Sequence, residues 1–519
     1  MIKGQRFGLT SDLRTDLNNE SFMSLTLHFI TEDMEMTSIA LECTPFEGRH
    51  TGENIAKGMN AILERHGLSE DDIEGAVTDN ASNIVAGLRD FTNITRFPCM
   101  AHTLDLCAKH FLDSTEMQAI VKQARGEVGH FKHSSKAPVA LKSMCDALNI
   151  ADRTLKQDVA TRWGSTNIML QSCLPLRPAL DAMSAVGNFP PEKNLSPEQW
   201  DVIECCCREP KAPTAETPVP PPEGILNLIA SSQQFLEGEK FVTLSFVPVI
   251  ISTLKRAMDQ AYDDDSLPAA ARAGIGHIRN DFYDRFYGIV LDDDEAEFET
   301  TYMVEGVLLA AVVDPRTKTL DLLSEEDKER AKTALDRRMK GRKEELRIAA
   351  AGAATSASPS SDTPASRGTE SAGVQKEASG RNFLQRIRQQ REAEISSAMP
   401  RPPASAQETS VKRQEIEKVQ RETEMIGFLD TAMEPALAID ENPLKWWARN
   451  AHKYPLIANV ARNVLAVPAS SGPSERVFSQ SGLVMTQRRN RLKPERLETL
   501  MFLKGSWEAA EKFTRSAVN

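Results

Sequence analysis

Two aspartates stand at the ends of short β-prone runs, and carboxylates in such positions can hold metal ions. Asp12 follows one run in GLTSDLRTD, and Asp79 follows another in GAVTDNASN. If the two strands are neighbours in one sheet, both carboxylates meet at its edge, where a hard divalent cation finds the oxygen ligands it prefers. One further carboxylate would let two Mg²⁺ ions lie about 4 Å apart and catalyse phosphodiester chemistry. The alternative is that each aspartate only caps a turn, Asp79 by bonding the backbone of Ala81 or Ser82.

The stretch CMAHTLDLCAKH, residues 99–110, pairs Cys99 with His102 and Cys107 with His110, as some zinc sites do. As a helix, it has an apolar seam that leaves these four residues out. The seam consists of Ala101, Leu104, Ala108 and Phe111. The ends of such a helix are about 16 Å apart, whereas zinc ligands lie within about 2.3 Å of one ion. We therefore predict no zinc, but a buried thiol and a hydrogen-bonded histidine; a half-site of Cys99 and His102 completed elsewhere is the alternative.

The elements that would position the aspartates can be read from the patterns around them. FMSLTLHFI and TSIALECTPF, separated by the polar TEDMEM, predict two adjacent strands of a hairpin. TGENIAKGMNAILERHG, residues 51–67, predicts a helix with Thr51 as its cap and Gly67 as its stop. A short strand then leads into TDNASN. The order strand, strand, strand, helix, strand predicts an α/β sheet with a parallel component.

From about residue 165 the pattern predicts mainly amphipathic helices. Two segments interrupt it. Residues 208–224 are rich in proline, which an ordinary helix interior excludes. Residues 350–373 are of low complexity and too poor in large apolar side chains to pack. We expect both segments to be mobile.

The net charge and the distribution of apolar residues limit the classes of protein to which this chain can belong. The formal net charge of −12 over 519 residues excludes a chain whose whole surface binds nucleic acid. A basic cluster at 487–496 either faces DNA or is a solvated helix face. No run of about 18 apolar residues predicts a membrane span, and the first residues lack the apolar stretch of a secretory signal. We expect an intracellular protein whose eight cysteines are reduced thiols.

A long C-terminal segment resembles a known family. Residues 442–505, which begin NPLKWWARNAHKYPLIANVARNVLAVPASSGPSERVFSQ, closely resemble the dimerisation region of hAT (hobo/Activator/Tam3) transposases and of host proteins derived from them. Earlier motifs follow the order of that family: TSD at 10–12, TDNASN at 78–83, CMAHTLDL at 99–106 and DVATRWGSTNIML at 158–170. FLEGEKFVTLSFVPVI and AAVVDPRTK look like parts of its helical insertion.

The resemblance implies an α/β, RNase H-like fold interrupted by a large all-α insertion domain after a strand ending near Trp163. The expected domains are these: 1–165, the N-terminal part of the core; 166–348, the helical insertion with a Pro-rich interruption near 205–228; 349–415, a disordered low-complexity linker; and 416–519, the C-terminal core helices with the hAT dimerisation region. The same resemblance implies that Asp12, Asp79 and Glu475 are the catalytic and metal-binding acids, holding two Mg²⁺ or Mn²⁺ ions. Metal-bound water would cut the transposon end, and the resulting 3′-hydroxyl would carry out strand transfer.

DNA is the partner that the resemblance implies, with contacts from His102, Arg162, Trp163 and Arg476. His102 would contact DNA or the scissile phosphate rather than zinc. Trp163 would stack on a displaced base, which suits the physics of unstacked bases, or it is a core tryptophan. Arg476 would hold a phosphate or pair with an acid.

The second implied partner is another copy of the chain. Trp446 and Trp447 resemble the dimerisation motif, and as large apolar side chains they suit either an interface or internal packing. The expected location is the nucleus, with no membrane contact.

Three departures from the family count against activity. First, the chain starts almost at the first catalytic strand, so we expect the BED-type zinc finger to be missing. Second, Arg14 stands where relatives often have tryptophan. Third, residues 205–228 look like inserted non-coding sequence. Two functions remain. One is a cut-and-paste, metal-dependent transposase, truncated or degenerate. The alternative is a non-catalytic, transposon-derived, dimeric nuclear protein associated with DNA or chromatin.

Overall fold

The computed structural model describes residues 5–15, 19–151, 153–160, 162–210, 222–288, 302–355 and 406–484, except for the side chains of 342–355, 406–413 and 479–484. The Pro-rich segment, the low-complexity segment and the basic cluster therefore lie wholly or largely outside the described residues.

A five-stranded mixed sheet lies near the N-terminus. Its strands are β1 (Phe7–Thr15), β2 (Ser21–Ile30), β3 (Met36–Pro45), β4 (Ile73–Thr78) and β5 (Thr95–Pro98), in the order β3-β2-β1-β4-β5. β1, β2 and β3 pair antiparallel, whereas β4 runs parallel to both β1 and β5. The predicted hairpin and the predicted parallel component are both confirmed.

The predicted helix after the hairpin is also confirmed. α1 (Gly52–Arg65) begins where the Thr51 hydroxyl accepts a hydrogen bond from the Asn54 amide, and the chain turns away at Gly67 with a φ of +68°. A positive φ costs glycine little, so the residue suits this stop. α1 buries its apolar face against the sheet together with α2 (Ser82–Leu88), and this packing forms the smaller of the two main cores.

Helices make up most of the remaining described chain. They are α3 (Met100–Leu112), α4 (Thr115–His133), α5 (Ala137–Ala147), α6 (Trp163–Cys173), α7 (Arg177–Ala185), α8 (Pro197–Cys207), α9 (Ile225–Leu236), α10 (Val247–Asp263), α11 (Ala269–Tyr287), α12 (Glu305–Val313) and α13 (Glu325–Thr355). Single 3₁₀ turns occur at Glu70–Asp72, Leu174–Leu176, Pro191–Lys193 and Leu244–Phe246. These helices share one large apolar core.

The C-terminal helices bring the chain back to the sheet. They are α14 (Ala406–Leu429), α15 (Pro443–Asn450), α16 (Pro455–Val464) and α17 (Gly472–Val484). α16 contacts β1, β2 and β4, and α17 contacts β1, β2 and β3. Val477 and Phe478 of α17 form a small apolar cluster with side chains of β2 and β3. The result is a mixed α/β architecture, mostly helical, with one small sheet.

Two sequence expectations about element boundaries are wrong. Helices already fill most of 100–147, and Trp163 begins α6 instead of following a strand. The segment before it is held by side chains, since Ser165 Oγ accepts a hydrogen bond from the Val159 amide and Arg125 pairs with Asp158. Such contacts replace a strand ladder.

Only the two ends of the expected linker 349–415 fall within the described residues, and both are helical. α13 continues to Thr355 and α14 begins at Ala406, which leaves 356–405 outside the described residues. Five of the six residues 349–354 are alanine, which has the highest helix propensity, and this outweighs both Gly352 and the lack of large apolar side chains. In the described part of the chain, no helix has the length and apolar character needed to cross a bilayer.

Candidate active site

Asp12 and Asp79 end up at the same edge of the sheet because their strands are parallel neighbours. Thr10 on β1 lies opposite Val77 on β4, and each aspartate comes two residues later in its strand direction. Asp12 Oδ1 accepts a hydrogen bond from the Leu13 amide at 2.8 Å, and Asp79 Oδ1 accepts one from the Ala81 amide at 3.2 Å. The turn contact considered for Asp79 therefore exists, in addition to its place beside Asp12.

Asp12 lies close enough to both Glu475 and Asp79 for their charges to act on it. Burial, then the charge of Glu475 and then that of Asp79, raises the pKa of Asp12 to about 7. Burial and the nearby Glu237 carboxylate raise the pKa of Glu475, while His102 lowers it. The structure thus brings three carboxylates that are far apart in sequence into one acidic site, in which Asp12 and Asp79 are partly buried and Glu475 is exposed.

Glu475 is held by the first turn of α17. Ser471 Oγ donates to Glu475 Oε1 at 3.4 Å, and Ser474 Oγ donates to Thr10 Oγ1 at 2.9 Å. Thr10 in turn lies 3.0 Å from Nε2 of His28. Burial, followed by the charge of Arg476, lowers the pKa of His28 to about 3, so its ring is neutral. This buried polar chain ties α17 to β1 and β2.

The backbone of β1 at Gly8 also lies very close to the backbone at Val467, just before α17. A Cβ atom on Gly8 would lie 2.8 Å from the Cα of Val467, nearer than real Cβ contacts allow. Glycine at this position therefore lets β1 pack directly against the segment that leads into α17.

The loop that carries Asp79 is fixed by its neighbour Asn80. The side-chain amide of Asn80, through Nδ2, donates hydrogen bonds to Thr103 Oγ1 and to the Tyr302 hydroxyl, both at 3.0 Å. Arg96 donates to the Asp79 carbonyl at 2.8 Å and to Asn80 Oδ1 at 2.6 Å. Asp79 thus sits on a loop bonded to β5, to α3 and to the chain before α12.

The cysteines of 99–110 have structural roles. Cys99 Sγ accepts hydrogen bonds from the amides of His102 at 3.4 Å and Ser471 at 3.3 Å, and it joins the start of α3 to the loop before α17. Burial raises the pKa of the Cys99 thiol to about 11, so it stays protonated. Cys107 is fully buried, and His110 Nδ1 lies 2.9 Å from Asp281. The apolar seam predicted for this helix is buried, as expected.

One face of α3 leads from the acids to a groove. His102, Asp105 and Lys109 follow one another at helical spacing, and the first two influence Glu475 electrostatically. Lys109 pairs with Asp105 at 2.6 Å and lines a groove of about 530 Å³. Lys122, Arg125 and Trp163 also line this groove. A groove lined by three basic residues, Asp113 and Trp163 therefore begins about 10 Å along the helix from His102.

The residues predicted to contact DNA differ in their exposure to solvent and in whether they already have partners. Arg162 is exposed at the start of α6, and His102 is partly exposed beside Glu475. Trp163 is only 5% exposed, so in this conformation it is a core tryptophan at the edge of the groove. Arg476 bonds the Glu237 carbonyl and pairs with Glu239 at 2.9 Å; of its two predicted roles, the structure shows the pairing with an acid.

Trp447 lies inside the protein. It is 1% exposed, its indole N–H donates to the Val313 carbonyl at 3.1 Å, and its ring stacks on Phe428. Trp446 is partly buried against the same cluster. Of the two predicted roles, internal packing is the one that Trp447 has, because the indole is too large to leave exposed when a matching apolar pocket is available.

Arg14 does not lie beneath the acids. It is exposed on β1, opposite Phe22 of β2, and its charge slightly opposes the rise in the pKa of Asp12.

Sequence reasoning missed several residues of the site. Glu237 adds a fourth carboxylate near Glu475, and Arg96 with Tyr302 holds the Asp79 loop. Glu237 lies in the quoted FLEGEKF and Arg96 in RFPCMAH, but only the fold shows that these stretches meet.

The chemistry of the donors fits a hard divalent cation. Carboxylate oxygens are the ligands that Mg²⁺ and Mn²⁺ prefer, and the charges of Glu475 and Asp79 add to burial in raising the pKa of Asp12. In the described part of the chain, however, no three His, Cys, Asp or Glu side chains converge closely enough to enclose an ion. Metal binding would have to draw the carboxylates together.

Comparison with known proteins identifies two regions of the chain. Residues 97–209 match the ZBED1 RNase-like helical domain, and residues 419–506 match the hAT family C-terminal dimerisation region. The second match confirms the resemblance drawn from the sequence and begins earlier, inside α14.

Relatives are similar along nearly the whole chain. The Putative AC transposase of Zea mays is 23% identical, with 98% of this chain and 57% of the relative aligned. The Putative AC9 transposase of Zea mays is also 23% identical, with 98% and 58% aligned. Zinc finger BED domain-containing protein 4 of Homo sapiens is 23% identical, with 95% and 37% aligned. The chain thus spans little more than half the length of the maize relatives.

Proposed function

We propose that this homologue of AC transposases and zinc finger BED proteins, which carries the hAT dimerisation region, is the core of a metal-dependent DNA transposase. The observation that carries the proposal is the electrostatic coupling of Asp12 to both Glu475 and Asp79 at the end of two parallel strands. Like charges repel, so a purely structural role gives no reason for three carboxylates to gather at one place, whereas a metal site needs them there.

The fold proposed for this core is RNase H-like with an all-α insertion. The sheet order β3-β2-β1-β4-β5 and the return of α16 and α17 to that sheet support it. Glu475 then belongs to the same core as the two aspartates, although 395 residues lie between Asp79 and Glu475 in the sequence.

In the proposed reaction, Asp12, Asp79 and Glu475 would hold two Mg²⁺ or Mn²⁺ ions. Bound metal lowers the pKa of water and stabilises the leaving oxygen of a phosphodiester. Water attacks phosphorus and the P–O bond to the departing strand breaks, which leaves a 3′-hydroxyl. That hydroxyl then attacks a target phosphodiester and displaces another 3′-oxygen, so the number of phosphodiester bonds is conserved in the second step.

The remaining residues position these groups and the DNA. Arg96 and Asn80 fix the loop of Asp79, and the first turn of α17 fixes Glu475. DNA would run from the acids along α3 into the groove, where the exposed Lys122 offers positive charge to backbone phosphates. Partners are therefore DNA and a second copy of the chain, and the proposed location is the nucleus.

Two observations favour the non-catalytic alternative. The carboxylates do not converge as they stand, and Arg476 is occupied by Glu239. A dimeric DNA-associated protein without nuclease activity would retain the same fold.

The test is Mg²⁺- or Mn²⁺-dependent nicking and strand transfer on the terminal repeats that flank the coding element. Wild type should cut, and Glu475→Gln should lose activity by at least about 100-fold because a ligand charge is removed while shape is kept. Glu53→Gln, an exposed acid on α1, is the matched control and should cut like wild type. Absence of cutting by folded wild-type protein would support the non-catalytic alternative.

A further inference from the structure

The helix α14 exposes apolar residues on the face that points away from the protein. Ile416, Val419 and Ile426 are 69%, 53% and 62% exposed. Its opposite face is buried and carries Arg421, which pairs with Asp336 of α13, together with Glu424 and Phe428. Large aliphatic side chains thus face water while two charged ones are buried, the reverse of the usual helix pattern.

These exposed residues have the spacing of a helix that pairs with another helix. Positions 416, 419, 423 and 426 are separated by three, four and three residues, the a and d positions of two heptads. Thr423 occupies the remaining position and is exposed as well. We call Ile416, Val419, Thr423 and Ile426 the α14 seam. A 3.5-residue repeat keeps such a seam facing one partner helix over its full length of about 15 Å.

The flanking residues indicate the direction of the partner helix. Glu415 and Glu422 lie on one side of the seam, at g positions, whereas Gln420 and Gly427 lie on the other side, at e positions. Two antiparallel copies would set the glutamates of one helix against those of the other. Two parallel copies set them against Gln420 and Gly427, which carry no charge, so parallel pairing avoids the repulsion.

We infer that the α14 seam packs against the α14 seam of a second copy of this chain, with the two helices parallel about a two-fold axis. A second copy fits because the seam is self-complementary and because the region matching the hAT dimerisation region begins at Val419, within this helix. The inference rests on the self-association part of the proposed function and is independent of catalysis.

The seam is short, so it contributes to a dimer interface rather than forming all of it. Burying four seam residues from each copy removes an exposed apolar stripe from water, and removing that contribution should weaken the dimer measurably. We expect the double variant Ile416→Glu/Ile426→Glu to raise the dimer dissociation constant at least tenfold. The matched control is Val139→Glu on α5, which is 66% exposed and lies off the seam.

Sedimentation velocity over a range of concentrations, on the full chain, measures this dissociation constant. Thermal unfolding of the same samples distinguishes other occupants of the seam. A lower melting temperature of the double variant with an unchanged dissociation constant would show that the chain's own residues cover the seam, and would overturn the inference. A wild-type chain that stays monomeric would overturn it equally. Glu475→Gln should dimerise like wild type. Loss of dimerisation can therefore be told apart from loss of the proposed catalytic activity.

A cross-link tests the parallel arrangement. In a parallel pair, the a positions of the two helices face each other across the two-fold axis. Thr423→Cys should therefore give a disulfide-linked dimer when oxidised with copper-phenanthroline and oxygen. In that reaction the two thiols lose two protons and two electrons to the oxidant. Lys418→Cys, on the side of α14 away from the seam, is the control and should stay uncoupled. A dimer that depends on Ile416 but yields no Thr423→Cys cross-link would contradict the parallel pairing.

Discussion

Ser474 and Thr10 share a 2.9 Å hydrogen bond although 464 residues separate them in the chain. Both side chains are fully buried, and each is close in sequence to a predicted acid: Thr10 lies two residues before Asp12, and Ser474 directly precedes Glu475. The contact therefore sets the distance between the helix that carries the glutamate and the strand that carries the first aspartate.

Replacing Thr10 with valine should destabilise the fold by about 1–3 kcal/mol, because the Ser474 hydroxyl and His28 Nε2 both lose their buried partner. Ser474→Ala should cost less, since Thr10 keeps its contact with His28. Urea denaturation followed by circular dichroism measures both. The control is Thr154→Val, at an exposed position, which should lie within about 0.5 kcal/mol of wild type. Equal midpoints for Thr10→Val and wild type would show that the polar chain contributes nothing.

Affinity for Mn²⁺ should rise about tenfold between pH 6 and pH 8, because a proton and the ion compete for the same carboxylate. Burial, Glu475 and Asp79 together raise the pKa of Asp12 to about 7, so the group is mostly protonated at the lower pH and mostly ionised at the higher. Isothermal titration calorimetry at both pH values checks this. Asp12→Asn should bind weakly and without the pH dependence. A wild-type affinity that is flat over this range would remove Asp12 from the ligand set.

Glu127→Gln should stabilise the protein at high pH and leave it nearly unchanged at pH 5. The side chain is completely buried, accepts one hydrogen bond from the Leu195 amide at 3.2 Å, and has no partner for Oε1 in the described part of the chain. Burial raises its pKa from an ordinary 4.5 to about 8. The folded state thus holds a proton that the unfolded state releases, and stability falls as pH rises from about 4.5 through about 8.

The glutamine keeps the acceptor for Leu195 and cannot ionise, so its advantage over wild type should reach on the order of a few kcal/mol above pH 8. Guanidinium unfolding at pH 5, 7 and 9 measures the difference. Glu198→Gln, an exposed residue on α8, is the control and should show no comparable trend. Parallel stability curves for wild type and Glu127→Gln would contradict the prediction.

Residues 210–221 should be dispensable for folding. The Gly224 amide donates to the Arg208 carbonyl at 3.0 Å, so the chain leaves and re-enters at one point between α8 and α9. Exchanging the segment for four glycines should change the free energy of unfolding by only about 1 kcal/mol, because loop entropy varies slowly with length. Differential scanning calorimetry measures this. Gly224→Val is the contrast: its Cβ would lie 2.5 Å from the Cys206 backbone and should destabilise the junction. Loss of folding after the exchange would show that the segment packs.

The sequence predicted local elements well where one physical pattern dominated. Alternation over 22–46 and the Thr51 cap with its Gly67 stop were enough to place the hairpin and α1. The strand that the resemblance implied before Trp163 was wrong, because the described residues there are held by the Asp158 and Ser165 side chains instead of a neighbouring strand. No local pattern distinguishes these two ways of satisfying a backbone.

The site was predictable only in part for a different reason. Asp12 and Asp79 follow from strand order, but Glu475 came from a resemblance, since nothing in its own surroundings specifies a partner 463 positions away. Glu237, Arg96 and Tyr302 had no signal of their own. The burial of Trp447 depends on the Val313 carbonyl and on Phe428, which also arrive from distant segments. Contacts of this kind are decided by tertiary packing.

The return of α17 to β1 also has a consequence for protein synthesis. At about 5–20 residues per second, a ribosome needs on the order of half a minute to a minute and a half after making Asp12 before it makes Glu475. During that time the nascent chain has both aspartates but no third acid, and Thr10 and Gly8 have nothing to pack against on their α17 side. The site therefore forms as one of the last events of folding, when nearly the whole described chain has been made.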